Sequence, residues 1–302
     1  MTDVSELSIL LIGDVDRSEF RRAREALLAV GRVTGAADVE SAEELLIADE
    51  IVPDVIVIAQ TYPAQYRHAT LQRLRQSAPL APLVVLAGSW CEGEMRSGNP
   101  LPGAIHVYWH QWQPRCDQHL HRMRRGERSA WGLPVTATEE ERLLLQSRIS
   151  ASLAAGGTAS LAAGGTASLA AGGTASQGQG LIAIDTPRFE MEDWLSAACR
   201  SRGHSTVWLR PPRGARVVGA AAAIFDGSDC RGKEFDRLRR LADTLAPAPV
   251  LALLDFPRIE DHNRALAAGA AGVISKPALV DDLFWELDRA MGGRDSRDRG
   301  ER

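Results

Sequence analysis

The 302 residues combine 45% hydrophobic with 25% charged residues, which is typical of globular proteins, and the length suits two domains of ordinary size. A formal net charge of −4 provides no overall attraction to nucleic acid or to anionic membranes, so we expect neither as a partner. The four cysteines are far apart and lack CxxC spacing, which argues against a disulfide framework and a zinc ribbon. Such cysteine usage suits a reducing cytoplasm, where we expect the protein, and no apolar run approaches about 18 residues, so we expect no membrane insertion.

Residues 6–125 alternate apolar runs with amphipathic segments, a pattern that predicts an α/β domain. The apolar strands indicate burial on both faces, and therefore a parallel sheet with helices on either side. A loop rich in Gly, Pro, Trp and Glu replaces the helix expected between the fourth and fifth strands. The predicted strands are SILLIGD, RVTGAAD, PDVIVIAQ, PLVVLAGS and AIHVYW, and the first two helices are EFRRAREALLAVG and VESAEELLIAD.

The middle of the chain separates this block from a second one. Residues 126–150 contain Thr138-x-x-Glu141, a capping box that predicts a connecting helix. Three copies of ASLAAGGT follow, and their glycines and small side chains predict a flexible linker over residues 151–178. The tail at residues 292–302 mixes charges with glycine, so we expect it to be disordered.

Residues 179–291 repeat the alternation of strands and helices. The sequence therefore predicts two doubly wound, five-stranded parallel-sheet domains of the flavodoxin-like α/β class, joined by a low-complexity linker. The predicted strands of the second domain are LIAID, HSTVWL, AAAAIFD, PVLALLD and GVISK, and its helices are FEMEDWLSAACRSRG, KEFDRLRRLADTLA, RIEDHNRALAAG and VDDLFWELDRAM.

Charged residues end three strands of the second block. Asp185 ends the first strand, Asp226 the third and Lys276 the fifth, and ligands of such sheets bind beyond the carboxyl ends of the strands. Carboxylates can hold Mg²⁺ or attack a phosphoryl group, and an ammonium can balance phosphate charge. Asp226 is thus a candidate phosphoacceptor, Asp185 and Asp226 are candidate Mg²⁺ ligands, and Lys276 is a candidate phosphate contact. Alternatively, the aspartates serve as loop or capping residues, and Lys276 is a salt-bridge partner of Asp226.

The segment ALAAGAAGVISKPALVDDL, with AAAIFD and PVLALLD before it, resembles the receiver domains of two-component response regulators, which have the CheY-like fold. The resemblance covers nearly all of residues 180–291. It implies that Asp226 accepts the phosphoryl group, that Lys276 contacts it, and that an acidic pair after the first strand holds Mg²⁺.

The second block departs from the family pattern at three positions. Only Asp185 matches the acidic pair, because the other member falls on Ile184. Leu254 stands where the family has a hydroxyl residue, and Val273 stands at its aromatic switch position. These departures predict a degenerate receiver.

The first block resembles the same family more weakly. PDVIVIAQTYP aligns with the strand that leads to the phosphoacceptor and puts Ala59 at the acceptor position. Ala87 takes the hydroxyl position, and His110 stands in for the lysine. Because no nucleophile is present, the resemblance implies a pseudo-receiver.

The segments on either side of the fifth strand of the first block supply a candidate partner-binding surface. Long loops at strand ends often carry binding sites, and exposed aromatic residues often mark interfaces. Alternatively, the tryptophans cover the sheet edge left by the missing helix. The candidate partner-binding residues are Trp90, Cys91, Glu92, Trp109, His110 and Trp112.

The sequence favours a non-enzymatic signalling adaptor that acts by contact with a protein partner, either a signalling kinase or an output protein. A first alternative is a response regulator that accepts phosphate on Asp226 with Mg²⁺ as its cofactor. A second alternative is a metal- or thiol-dependent enzyme at the loop that carries Cys91 and His110.

Overall fold

The chain forms two compact units, Met1–Gln146 and Ser147–Arg302. The predicted linker at residues 151–178 and the last four residues of the predicted tail lie outside the described residues. The computed structural model describes residues 6–48, 50–94, 98–127, 129–134, 136–138, 140–145, 180–210 and 217–298.

The first unit is built on a five-stranded, all-parallel sheet in the order β2-β1-β3-β4-β5. Its central strand β3 is buried along its whole length, as expected for a sheet covered on both faces. The strands are β1 (Leu7–Ile12), β2 (Gly31–Ala36), β3 (Val55–Gln60), β4 (Leu83–Ala87) and β5 (Ile105–Tyr108), and the helices are α1 (Arg21–Val30), α2 (Val39–Ile47), α3 (His68–Ser77) and α4 (Trp112–Arg124).

Two helices of this unit, α3 and α4, were not predicted from the sequence. Helix α3 buries only Leu71 and Leu74, so its apolar stripe is too narrow for a strong periodic signal. Helix α4 begins at Trp112 with a proline in its first turn, directly after the aromatic loop. Pro is tolerated in the first turn of a helix, because the backbone N–H groups there have no partner within the helix.

The described residues between 126 and 145 pack as part of the first unit. The buried ring of Trp131 stacks on His119 of α4 with a centroid distance of 5.1 Å. Arg142 donates to the carbonyl oxygens of Ala130 and Pro134 at 3.0 and 3.1 Å. The predicted Thr138–Glu141 capping box is present, and residues 140–145 are helical. The first unit therefore extends beyond the predicted boundary at residue 125.

The second unit has the same all-parallel strand order, β7-β6-β8-β9-β10. Helix α8 continues past the predicted boundary at residue 291 to Asp298. The strands are β6 (Leu181–Asp185), β7 (Ser205–Leu209), β8 (Ala220–Asp226), β9 (Val250–Asp255) and β10 (Gly272–Lys276), and the helices are α5 (Phe189–Ser201), α6 (Lys233–Leu245), α7 (Ile259–Ala267) and α8 (Val280–Asp298).

Helices cover both faces of the second sheet. Leu238 and Leu241 of α6 belong to one apolar cluster with the sheet, and Leu195 of α5 belongs to a second cluster with Leu283 of α8. The predicted fold class, two doubly wound five-stranded parallel-sheet domains, is confirmed. No helix in the described part of the chain is both long enough and apolar enough to cross a bilayer.

Candidate functional site

The candidate site lies at the carboxyl ends of β6, β8 and β10, where the parallel strands bring their last residues to one edge. Asp226, the last residue of β8, is 2% exposed. Its Oδ1 accepts hydrogen bonds from Lys276 Nζ at 2.7 Å and Arg188 Nη2 at 2.5 Å. Its Oδ2 accepts from Thr186 Oγ1 at 2.7 Å and Arg188 Nε at 3.1 Å. A carboxylate has about four lone-pair positions, so the hydrogen-bonding capacity of Asp226 is used in full.

Asp185, the last residue of β6, interacts with a different cation. Arg237 of α6 places Nε 3.2 Å from Asp185 Oδ1, although these two atoms are not aligned as a hydrogen bond. The same guanidinium donates to the backbone carbonyl of Asp226 and lies 4.3 Å from the ring centroid of Phe225. Arg237 thus connects α6 to the ends of both strands.

Lys276 completes the ionic network at the end of β10. Its Nζ donates to the carbonyl oxygen of Gly227 at 2.7 Å and lies 3.0 Å from Asp255 Oδ1. Among the described residues of the site, three carboxylates are matched by three cations. The carboxylates belong to Asp185, Asp226 and Asp255, and the cations to Arg188, Arg237 and Lys276.

The two buried carboxylates have opposite pKa shifts. Burial raises the pKa of Asp185 to about 6, an effect that Arg237 opposes and the charge of Asp226 reinforces. Burial also acts to raise the pKa of Asp226, but hydrogen bonds from Arg188, Lys276 and Thr186 outweigh it and leave the pKa below its ordinary value. Asp226 is therefore ionised at neutral pH.

The residues at this edge do not fit the Mg²⁺ ion that the family resemblance implies. The Asp226 oxygens are engaged by Arg188, Lys276 and Thr186, and Asp185 faces Arg237. Mg²⁺ needs free oxygen ligands in a near-octahedral arrangement. Within the described ranges, no group of three or more His, Cys, Asp or Glu side chains is arranged to hold a metal ion.

The structure places the predicted site residues of the second domain at the same edge and adds others. Asp226 and Lys276 are in direct contact, and Asp185 lies at the neighbouring strand end. Ile184 is fully buried in the apolar core, whereas Thr186, two residues further on, contacts Asp226. Sequence reasoning missed Thr186, Arg188 and Arg237, although the segment Asp-Thr-Pro-Arg directly after β6 was a signal for the first two.

The register of β9 and β10 agrees with the other family positions. Asp226 pairs with Leu253, so the next residue, Leu254, lies at the predicted hydroxyl position, and its buried side chain has no hydroxyl group. Val273 lies three residues before Lys276 in β10 and is also buried. Neither side chain can donate a hydrogen bond to a ligand.

The same register can be followed in the first sheet. Ala59 pairs with Leu86, as Asp226 pairs with Leu253, so Ala59 occupies in the first sheet the place that Asp226 occupies in the second. Tyr108 pairs with Ala87. The residue after Tyr108, Trp109, corresponds to Lys276, so the alignment of His110 with the lysine is displaced by one residue.

Two buried glutamates occupy the corresponding edge of the first sheet. Glu94 accepts two hydrogen bonds from Gln60 Nε2, at 3.0 and 3.1 Å, and one from the Ala64 backbone N–H at 3.4 Å. Glu19 accepts from the backbone N–H and the hydroxyl of Ser89 at 2.9 and 2.5 Å. Sequence reasoning missed Glu19 and Gln60. Glu94 thus attaches the loop after β4 to the end of β3, and Glu19 attaches the same loop to the segment before α1.

The predicted partner-binding residues divide into an exposed and a buried group. Trp90 is 68% exposed, and the Glu92 side chain is 23% exposed. Cys91, Trp109 and Trp112 are buried, so they are not accessible to a partner in the folded domain. Their burial agrees with the alternative that the tryptophans cover the sheet. The buried ring of His110 lies 5.4 Å from that of Trp109 at 82°, and its Nε2 lies 2.6 Å from Glu92 Oε1.

The thiol of Cys91 is unsuited to nucleophilic chemistry. Burial, together with the nearby charge of Glu94, raises its pKa to about 12. Nucleophilic cysteines act as thiolates, and this thiol is protonated at neutral pH. Its Sγ donates to the Gln60 carbonyl at 3.5 Å. These properties argue against a thiol-dependent enzyme at this loop.

No protein-family model and no curated protein matches the chain. Among solved structures, it is similar to a response regulator receiver protein from Pseudoalteromonas atlantica, with 18% identity, a TM-score of 0.34, and coverage of 38% of this chain and 98% of the other. The signal receiver domain of a histidine kinase from Syntrophus aciditrophicus gives 23% identity, a TM-score of 0.33, and coverage of 38% and 91%. A response regulator protein from Burkholderia pseudomallei, solved with a phosphorylated aspartic acid, a calcium ion and citrate, gives 16% identity, a TM-score of 0.30, and coverage of 41% and 75%.

The strand order of the two sheets identifies the fold directly. Both sheets are entirely parallel, and each has the doubly wound order 2-1-3-4-5 of flavodoxin-like domains. Helices lie on both faces of the second sheet, and the strand ends that carry Asp185, Asp226 and Lys276 share one edge. Each of the two domains therefore has the receiver-like fold.

Proposed function

We propose that the chain is a non-enzymatic signalling adaptor whose two receiver-like domains act through contact with protein partners. In the first domain, Ala59 provides no carboxylate to accept a phosphoryl group. In the second domain, the carboxylate of Asp226 is present but engaged by four donors. That engagement is the observation that carries the proposal, because a nucleophilic oxygen needs a free lone pair.

An intact-mass experiment on the full chain tests this proposal. The protein is incubated with Mg²⁺ and a small acyl phosphate, and we expect no addition of a phosphoryl group that depends on Asp226. The matched variants are Asp226→Ala and Asp229→Ala, since Asp229 is an exposed aspartate three residues further on. An authentic phosphorylatable receiver, treated in parallel, shows that the reagent is active. A phosphoryl adduct lost in Asp226→Ala and kept in Asp229→Ala would contradict the proposal.

The second candidate function is phosphoryl acceptance on Asp226. The observation in its favour is that the Arg188 side chain is 50% exposed, so its rotation into solvent would free one acceptor position on each oxygen of Asp226. Lys276 would remain close enough to contact a phosphoryl group. The same mass experiment distinguishes this function from the adaptor.

The partner surface that we propose in the first domain centres on Trp90 and Glu92. Trp90 lies in the short 3₁₀ turn Ser89–Cys91, between two residues with internal contacts. Ser89 is hydrogen-bonded to Glu19, and Cys91 is buried. The turn therefore presents an exposed aromatic ring from a fixed backbone, which lowers the entropic cost of binding a partner.

A further inference from the structure

The second domain has a guanidinium group at the carboxylate where the receiver resemblance implies a divalent cation. Arg188 contacts both oxygens of Asp226, through Nη2 at 2.5 Å and Nε at 3.1 Å. A two-point contact between guanidinium and carboxylate supplies a full positive charge together with two directional hydrogen bonds. Its electrostatic effect on the carboxylate is of the same kind as that of a bound cation.

We propose that the guanidinium of Arg188 occupies the place of the divalent cation, so that the second domain is a metal-independent receiver whose intact site excludes Mg²⁺. This inference deepens the proposed function, and it rests on that function in one respect, the absence of modification at Asp226. The side chains of the site would then keep the same arrangement in the presence and in the absence of Mg²⁺.

The segment that carries Arg188 is fixed to the sheet at several points. The Thr186 hydroxyl donates to Asp226 at 2.7 Å and accepts from the Arg188 backbone N–H at 3.1 Å. On the opposite side, Trp208 Nε1 donates to the Thr186 carbonyl at 2.9 Å. These bonds hold the backbone of Arg188 beside the carboxyl ends of the strands. The contact between Arg188 and Asp226 is therefore supported by the conformation of the loop.

The charges at the edge explain why a cation is needed there. Asp185 and Asp226 end neighbouring strands, and both carboxylates are buried. Two buried carboxylates repel each other unless cations or protons compensate them. Arg188 and Arg237 supply one cation for each carboxylate. A divalent ion would add two further charges to a balanced site, and it would have to displace the guanidinium from the Asp226 oxygens.

Removal of the Arg188 charge should therefore create a cation site that the wild type lacks. The variant Arg188→Gln keeps a polar side chain and removes the two guanidinium hydrogen bonds, which frees one acceptor position on each oxygen of Asp226. The matched control is Arg200→Gln, because Arg200 is an exposed arginine in the last turn of α5, the helix that begins directly after Arg188. The double variant Arg188→Gln with Asp226→Asn removes the oxygen ligand and should abolish any gain.

The experiment is a titration of the full chain with Mn²⁺, read by water-proton relaxation with Mg²⁺ as competitor. We expect saturable binding to Arg188→Gln that is at least about tenfold tighter than to the wild type or Arg200→Gln, because the freed carboxylates attract the cation. Loss of the tighter binding in the double variant Arg188→Gln with Asp226→Asn would support the inference. Saturable, Asp226-dependent binding of Mn²⁺ to the wild type would overturn it, and so would the absence of a gain in a folded Arg188→Gln.

Two further measurements keep the test decisive. If Arg188→Gln does not fold, Arg188→Ser replaces it, and the wild-type titration by itself can still contradict the inference. Circular dichroism reports folding in each case. Since no phosphodonor is present, failure of this inference is distinguishable from failure of the adaptor proposal, which the mass experiment measures.

Discussion

At the scale of single residues, Asp185 and Asp226 show how two carboxyl groups at one sheet edge acquire different acidities. Asp226 accepts hydrogen bonds from Thr186, Arg188 and Lys276, which stabilise its charged form. Asp185 is buried, and within the described part of the domain its Oδ1 has a charge contact with Arg237 and no hydrogen bond. Hydrogen bonding lowers the pKa of the first group, and burial raises that of the second.

The raised pKa of Asp185 predicts a specific dependence of stability on pH. Its pKa rises from 3.8 to about 6 on folding, so between about pH 4 and pH 6 the folded state binds more protons than the unfolded state. The contribution of this group to the free energy of unfolding therefore falls as the pH rises through that window, by roughly 2–3 kcal/mol. The lowered pKa of Asp226 acts in the opposite sense, because its contribution is lost as the pH falls through the folded-state value.

We expect Asp185→Asn to remove the Asp185 part of this dependence. Relative to the wild type, the variant should gain free energy of unfolding as the pH is raised from about 4 to about 6. Urea unfolding followed by circular dichroism at several pH values measures the difference. Asp229→Asn, at an exposed position, is the control. A difference between Asp185→Asn and the wild type that does not change with pH would show that the Asp185 pKa is not raised.

At the scale of elements, the region from the 3₁₀ turn Ser89–Cys91 to helix α4 combines two kinds of tryptophan. Trp112, the first residue of α4, is 1% exposed, whereas Trp90 in the turn is 68% exposed. Burial of an aromatic side chain stabilises the fold, while an exposed one is available for binding. In the sequence, Trp90 and Trp112 both lie in a loop-rich region. Their backbone positions in the fold determine which one is buried and which one is exposed.

Alanine substitutions should separate these roles. We expect Trp112→Ala to lower the free energy of unfolding by about 3–5 kcal/mol, because it leaves a large cavity in the domain interior. Trp90→Ala should change that free energy by less than about 0.5 kcal/mol, since the ring is mostly exposed. Chemical denaturation of the full chain measures both values. Equal losses in the two variants would contradict the assignment of Trp112 to the interior and Trp90 to the surface.

At the scale of the whole molecule, the chain is divided into two compact units, and the first ends later than its sequence pattern suggests. The amphipathic alternation fades near residue 125, but Trp131 and Arg142 still pack within the unit. The first domain therefore includes residues that were predicted to connect it to the linker.

Truncation tests this longer first domain. A fragment that ends at residue 125 should have a Tm lower by at least about 5 °C than a fragment that ends at residue 146, because His119 loses its stacking contact with Trp131 and its hydrogen bond with Ser129. Differential scanning calorimetry of both fragments provides the comparison. Identical Tm values would indicate that residues 126–146 do not contribute to the domain.

The sequence by itself determined the fold class, the order of the strands in both domains, and the strand ends that carry Asp185, Asp226 and Lys276. These features follow from local periodicity, and the ends of parallel strands must meet at one edge. Tertiary structure alone decided that Arg188 and Arg237 engage the aspartates and that Trp112 is buried while Trp90 is exposed. The physical reason is that such contacts depend on the path of each loop and the position of each helix over the sheet, which local periodicity does not encode.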